Sequence, residues 1–323
     1  MWLVEEGIGE DRAIRLTGTT ITHALLDWHD AIRPGLVEDA ILVSRQAGSS
    51  RGVARLSNGQ SALVDRLPSD TSEGAPIRLE ITRAAIMESR RNKMAQARPS
   101  SKQTQPANSL AEQLRQSGNS VEVVRRFPDC DWDELVGEAL DQHLSFAQGA
   151  LHFSPTPAMT LVDVDTNLGP EAGALAAVKP LAASLKRFGI GGSIGIDFPT
   201  VQDKSARKAV DAALAEALAD WPHERTAMNG FGFVQLVARL ERPSLLHVML
   251  FHPSRAEIYR LLRQAEGLKE HGAIELRGAS ALLNTHLNPM DVDELSKRTG
   301  REVRIVSDDT LAQRAPHAQI VSI

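Results

Sequence analysis

The stretch LVDVDTN, residues 161–167, places a carboxylate or an amide at every second position: Asp163, Asp165 and Asn167. In an extended chain alternate side chains share a face, so Val162 and Val164 point into one layer and the polar groups into the other. A row of acids on one sheet face repels itself unless something positive lies against it. A second segment, GGSIGIDFP at 191–199, repeats the design, an apolar run that closes on Asp197. Between the two, residues 170–188 have helical spacing. Pro180 is expected to kink that helix or split it in two, and Gly189 to end it. Two strands joined through a helix, each delivering one carboxylate near its end, belong to an α/β domain.

Carboxylates with oxygen-only neighbours are hard ligands that suit Mg²⁺ or Mn²⁺. An ion held by Asp163 and Asp197 bridges a phosphate and lowers the pKa of its bound water, which makes in-line attack possible. The same two acids equally suit strand-end caps of a following turn or helix, and spacing alone leaves both readings open. Other chemistry finds little support. The ten histidines have no HExxH spacing, and no GxSxG elbow is present. Gly189, Gly191 and Gly192 precede a strand, so they form no phosphate loop. His143 and His152 lie close in sequence to the acidic strand, without a pattern that assigns them a role.

Outward from this centre, Thr200–Asp203 has the form of a capping box for a helix whose apolar face is Ala206, Val210, Ala213, Leu214 and Ala217. FGFVQLVARL, 231–240, reads as a further strand. The last seventy residues read as a compact α/β tail, with Asn288-Pro289 opening a helix that ends near Gly300. The first hundred residues are β-rich: short apolar runs are separated by Gly, Asn, Ser and Asp. In ARLSNGQSALV the Asn58-Gly59 pair supplies the positive φ angles of a tight hairpin, and strands this closely spaced suit a small barrel. Residues 99–120, rich in Ser, Gln, Asn and Pro, read as a linker, in part disordered.

Composition sets the outer limits. The chain has 323 residues, 42% apolar and 24% charged, which describes an ordinary soluble protein of two domains or more. Its longest apolar run, near 245–251, is too short to span a bilayer. The segment MWLVEEGIGEDR is acidic where a secretory signal is basic, so a cytoplasmic location is expected. One cysteine, Cys130, leaves no disulfide framework and no multi-cysteine metal site. The net charge of −5 argues against bulk electrostatic binding to nucleic acid. It leaves room for a local basic groove: TRAAIMESRRNKMAQAR, 82–98, carries Arg83, Arg90, Arg91, Lys93 and Arg98 against Glu88 alone.

Four segments in fixed order, GALHFSPTPAMTLVDVDTN, KRFGIGGSIGIDFPTV, KSARKAVDAALAEAL and NGFGFVQLVARLERPSL, resemble the catalytic region of the ribonuclease E/G family. The family reads G-x-L-x-I-E-P-T-E-A-L-T-x-I-D-V-N-S, then L-G-G-x-I-V-I-D-F-I-D-M, then S-x-F-G-L-x-E-M-x-R-x-R-x-R-P-S-L. The likeness covers about residues 149–245. It implies a Mg²⁺-dependent endoribonuclease of single-stranded RNA that leaves 5′-phosphate and 3′-hydroxyl ends, with Asp163 and Asp197 as the metal-binding pair. It also implies an architecture: N-terminal strands of an RNase H-like subdomain at 1–36, an OB-like RNA-binding domain at 37–98, a linker at 99–120, a catalytic α/β domain at 121–252, and a small α/β subdomain at 253–323. Arg83, Arg90, Arg91, Lys93, Lys204 and Arg207 are the candidate RNA-backbone contacts.

The chain also departs from the family pattern. Asp165 stands where the family has Asn, and is a third, less secure catalytic candidate. Ser154 and Pro157 replace two glutamates, Pro199-Thr200-Val201 replaces I-D-M, and Gly230 and Gln235 replace an Arg and a Glu. Lost acids remove support for metal ligands and lost arginines weaken phosphate contacts. The 5′-phosphate-sensing segment and the paired-cysteine zinc motif are missing, so neither conventional 5′-end sensing, nor a zinc site, nor a zinc-linked tetramer is expected; no motif predicts another oligomer. The expectation is a metal-dependent RNA-cleaving enzyme. A catalytically degenerate RNA-binding protein of the same fold is the alternative, and an unrelated α/β enzyme acting on a smaller phosphoester is a third.

Overall fold

A computed structural model describes residues 1–87, 92–312 and 315–322. Strands β1 (Trp2–Glu6), β2 (Glu10–Thr17) and β3 (Thr20–Trp28) form an antiparallel meander. The chain then leaves to build a barrel from β4 (Val37–Arg45), β5 (Gly52–Arg55), β6 (Ser61–Val64) and β7 (Pro76–Arg83). It passes through a short ladder, β8 (Ile86–Met87) and β9 (Asn92–Lys93), before β10 (Ala95–Pro99) closes the barrel in the order β10-β6-β5-β4-β7. Closure pairs every strand on both edges. The interior is narrow, and small residues fill it: Ala54, Ala62, Ala95 and Ala97 are buried beside Leu42, Val64, Leu79 and Ile81.

The β5–β6 hairpin forms where the sequence places it, with a different turn. Only Gly59 of the Asn58-Gly59 pair takes a positive φ, 83°. The loop is longer than a two-residue turn, running from Leu56 to Gln60, whose carbonyl accepts the Leu56 N–H at 2.8 Å. Asn58 contributes its side chain, whose oxygen accepts the Gln60 N–H at 3.0 Å.

The segment at 99–120 differs from the expectation in its second half: residues 100–109 form no helix or strand, but a helix follows. Helix α1 (Leu110–Gln116) is closed by a capping box between Ser109 and Glu112 and buries Leu110, Ala111 and Leu114. Those three side chains find the apolar partners their own segment lacks on the N-terminal sheet, in Trp2, Val4 and Ala13. Strand β11 (Val121–Val124) then pairs parallel to β1, giving the order β11-β1-β2-β3. The barrel is thus inserted between two pieces of one sheet.

The central unit contains α2 (Trp132–Asp141), β12 (His143–Phe146), β13 (Gly149–Pro155), β14 (Thr160–Thr166), α3 (Pro170–Arg187), β15 (Gly192–Asp197), α4 (Lys204–Ala217), β16 (His223–Arg225) and β17 (Phe233–Ala238). Its six strands run in the order β12-β13-β14-β15-β17-β16, and only the β14–β15 pair is parallel. Helix α3 is continuous through Pro180. A proline inside a helix costs about 3 kcal/mol. Here Ala177, Val178, Leu181 and Leu185 bury one stripe on both sides of it, against β13, β14 and β3, which outweighs that cost. Gly189, at φ 63°, ends the helix. The cap of α4 is Asp203, whose side chain accepts the Ala206 N–H at 2.8 Å; Thr200 instead donates its hydroxyl to the Phe231 carbonyl.

The chain closes with α5 (Leu245–Phe251), α6 (Pro253–Glu266), β18 (Ala273–Gly278), α7 (Ser280–His286), α8 (Pro289–Thr299), β19 (Val303–Ser307) and β20 (His317–Val321). Asn288 caps α8 and Gly300 ends it in the left-handed region. No helix of the described residues is long and apolar enough to cross a membrane.

Helix α6 docks on the first hairpin through buried charge. Arg263 bridges Glu5 and, at 2.7 Å, Glu10. Glu5 also accepts from Arg12 at 2.8 Å and from the Phe127 N–H at 3.1 Å. The Arg12 guanidinium lies 4.8 and 4.5 Å from the ring centroids of Phe127 and Trp132, a cation–π arrangement. Burial works to raise the Glu5 carboxyl, but Arg263 and Arg12 outweigh it and hold it below its ordinary value. Burial, reinforced by Arg263, brings Arg12 down to about 10, so it stays charged near neutrality.

Removing the shared cation takes this ion pair from buried Glu10 and leaves buried Glu5 to Arg12 alone. Arg263→Met is therefore expected to lower unfolding stability by about 3–5 kcal/mol, read from denaturant titration. Because the folded-state pKa of Glu5 is depressed, its contribution is present above the ordinary glutamate value and lost as pH falls through the lowered one. Thermal midpoints of Glu5→Gln should accordingly fall less steeply than those of the unchanged protein below about pH 4.3.

Candidate functional site: an open sheet face with two aligned aspartates

The strand registers place one row of side chains across the central sheet. His143 on β12 pairs with His152 on β13, His152 with Asp163 on β14, Asp163 with Asp197 on β15, and Asp197 with Phe233 on β17. Registered neighbours point to the same side. The residues that alternate with this row, among them Leu151, Val162, Val164, Ile194, Ile196, Val234 and Leu236, are buried on the opposite face. Helix α3 packs on β13 and β14, and α4 packs on α3. The row itself faces outward: Asp163 and Asp197 are exposed, and His143, His152 and Phe233 are half-buried.

Asp163 and Asp197 are direct partners across the single parallel ladder, so their carboxylates stand side by side on strands about 4.8 Å apart. On its other side, glycines at the start of β15 let it lie close to the chain leaving β17. A Cβ on Gly191 would meet the Arg239 carbonyl oxygen at 2.5 Å, and Gly192 has φ 83°. Asp165 lies one row further along the same face, beyond the end of β15, and its carboxylate is 3.2 Å from His152 Nε2. A histidine from the neighbouring strand thus lies against the acidic row. Asn167 lies outside β14.

The donor set fits a hard divalent cation. Mg²⁺ commonly takes one or two protein carboxylates and completes its shell with water and substrate phosphate. Two solvent-facing, register-aligned carboxylates meet that requirement. Among the described residues no cluster of three or more His, Cys, Asp or Glu is arranged to hold an ion, so a cage built wholly of protein ligands is not what this face offers.

The basic candidates are dispersed. Arg83 and Lys93 belong to the barrel side, on β7 and β9, and Arg83 donates to the Met94 carbonyl at 2.8 Å. Arg90 and Arg91 lie outside the described residues. Arg207 is half-buried and its guanidinium donates to the Val201 and Gln202 carbonyls, both at 2.7 Å. Through Nη1 it holds the loop after β15. Lys204, the first residue of α4, is exposed. The structure thus brings Asp163, Asp165 and Asp197 onto one face, Lys204 to the helix that follows it, and leaves Arg83 and Lys93 on the barrel.

Sequence reasoning noted His152 without assigning it a role and did not single out Phe233; both are neighbours of the aspartate pair. The period-two alternation of ALHFSP, with Leu151 and Phe153 inward, carries the signal that His152 faces outward; its register against Asp163 does not show in the sequence. A cavity of about 610 Å³ lies elsewhere, between the first hairpin, α2 and α6, lined by Arg12, Phe127, Trp132 and Arg263 among others. Neither Asp163 nor Asp197 lines it; the aspartate site is an open surface rather than a cleft. No family model matches the chain, and no curated protein matches it.

Proposed function

We propose that this chain is a divalent-metal-dependent endoribonuclease acting on single-stranded RNA, of the ribonuclease E/G type, in cytoplasmic RNA processing or decay. The reading rests on the direct register of Asp163 with Asp197 on an open sheet face, the arrangement that the sequence likeness calls for. In this reading the two carboxylates hold Mg²⁺ or Mn²⁺, which, when bound, supplies positive charge for the phosphodiester and acidifies water. The closed five-stranded barrel acts as an OB-like domain that tracks the RNA backbone. Exposed Lys204 contributes a phosphate contact from the start of α4.

A second reading, an RNA-binding protein that no longer cleaves, draws on the contact between Asp165 and His152. Where the family pattern has a neutral amide, this chain has a carboxylate engaged by a histidine.

Purified protein incubated with single-stranded RNA and Mg²⁺ is expected to cleave it, and to stop when EDTA is added. Asp163→Asn and Asp197→Asn should each lower the rate by more than the roughly hundredfold that loss of an outer-shell metal partner costs. Equal cleavage by both variants would sink the metal assignment. Binding without cleavage favours the second reading, and hydrolysis of small phosphoesters but not RNA points to a different enzyme. Asp165→Asn, which restores the amide, is expected to keep or raise the cleavage rate; a loss as large as that of Asp163→Asn would make Asp165 a ligand.

A further inference from the structure

The loop that leads into β17 ends in Phe231, which is 81% exposed. An isolated exposed phenylalanine is ordinary, but this one is held in place. Asn229 Oδ1 accepts the N–H groups of Phe231 and Phe233 at 2.9 and 3.0 Å. The Gly232 N–H donates to the Asn229 carbonyl at 3.2 Å, and the Asn229 N–H to the Phe233 carbonyl at 3.1 Å. The loop is also tied to the chain leaving Asp197. The Phe198 N–H donates to the Gly232 carbonyl at 3.3 Å, and the Thr200 hydroxyl to the Phe231 carbonyl at 3.4 Å. Gly232 has φ 90°, and a Cβ there would lie 2.4 Å from the Phe198 carbonyl oxygen, so contact at this point is close and specific to glycine. An exposed ring on a tethered loop loses little freedom when something stacks on it.

Beside it the sheet carries an apolar shelf. Phe233 is registered with Asp197, and its ring leans over Gly195. A Cβ on Gly195 would lie 2.6 Å from that ring and 2.9 Å from both Leu161 Cδ2 and Met159 Sδ, so the missing side chain is what lets the three groups meet. Leu161 belongs to the same strand face as Asp163, and Gly195 to that of Asp197. Lys204 and Lys208 are exposed on the first turns of α4, the helix that follows β15, and make no ion pair among the described residues. Carboxylates suited to a cation with aromatic and apolar surface next to them match two parts of a nucleotide chain, metal-bridged phosphate and base, and the exposed lysines of the following helix suit neighbouring phosphates. Stacking on aromatic side chains is also how single strands are held without sequence preference.

We infer that Phe231 and Phe233 form a stacking subsite for the nucleobase next to the phosphate engaged at Asp163 and Asp197, an inference that rests on the RNA-cleaving reading above. The test measures affinity for a labelled single-stranded RNA, and for the same strand with its bases removed, in Ca²⁺, which takes the same oxygen ligands. Loss of one stacked base corresponds to a drop in affinity of about fivefold to a hundredfold. Phe231→Ala should show that drop on RNA while Phe231→Trp binds like the unchanged protein. The unchanged protein should favour the strand with bases, and Phe231→Ala should lose most of that preference. Phe231 is exposed, so the variants should melt with the parent; Phe233→Leu, which keeps the apolar cover of Gly195, provides a second variant and should show a smaller drop. Cleavage and binding by Phe231→Ala equal to the parent would overturn the subsite and leave the enzyme reading standing. Failure of the unchanged protein to bind any RNA would overturn both. If Phe231→Ala alters sedimentation from dimer to monomer with RNA affinity unchanged, the shelf is a protein contact and the subsite fails.

Discussion

Two glutamates of the first hairpin and one arginine of α6 hold the ends of the fold together. Glu5 and Glu10 are buried, and Arg263 reaches both. Pairs of this kind add little net stability over a well-packed apolar alternative, but they are unforgiving, since an unpaired carboxylate in the interior is costly. They therefore act as a constraint of position: α6 can dock on the hairpin only where its guanidinium lies between the two acids. A comparable contact fixes the segment before α5, where Arg242 pairs with buried Asp27 at 2.6 Å and donates to Gln113 of α1 at 2.7 Å. Burial raises the Asp27 carboxyl, with Arg242 opposing it. The barrel joins the same seam through the Ala84 N–H, which donates to the Glu241 carbonyl.

With the frame held elsewhere, the central sheet is free to be two-sided. Its inner face is packed by α3, and α4 packs on α3 in turn, while the outer face carries histidine, aspartate and phenylalanine side by side. Acids on adjacent strands would be destabilising in an interior. On this face water screens their repulsion, and His152 meets Asp165. The same exposure that makes the pair tolerable leaves it open to a cation and to a ligand.

Much of this was legible in the chain. The alternation in LVDVDTN correctly separates buried Val162 and Val164 from exposed Asp163 and Asp165, because side-chain period alone decides the face. The β-rich character of the first hundred residues foretells a barrel, and Asn288 and Gly300 mark both ends of α8, since caps are local chemistry. What was missed depends on partners distant in sequence. The polar segment at 99–120 has too few apolar residues to fold by itself, but Leu110, Ala111 and Leu114 have Trp2 and Val4 to pack on. Pro180 breaks isolated helices, and here the packed stripe of α3 overrides it. That Arg207 turns one guanidinium nitrogen back to the carbonyls of Val201 and Gln202 does not show in the sequence. The alignment of Asp163 with Asp197 is a matter of register, which two separate strands do not encode in their composition.

The insertion of the barrel between β3 and α1 bears on the order in which the molecule assembles. The barrel core is drawn from residues 32–97, a continuous stretch that is complete once it has left the ribosome. The sheet around it is a different case. Strand β1 waits for β11, beyond the whole barrel, and Glu10 lacks its Arg263 partner, with Glu5 left to Arg12 alone, until Arg263 has been made. Vectorial synthesis therefore yields a finished barrel on an unfinished platform, with the first hairpin only partly neutralised until the C-terminal third brings Arg263 to it.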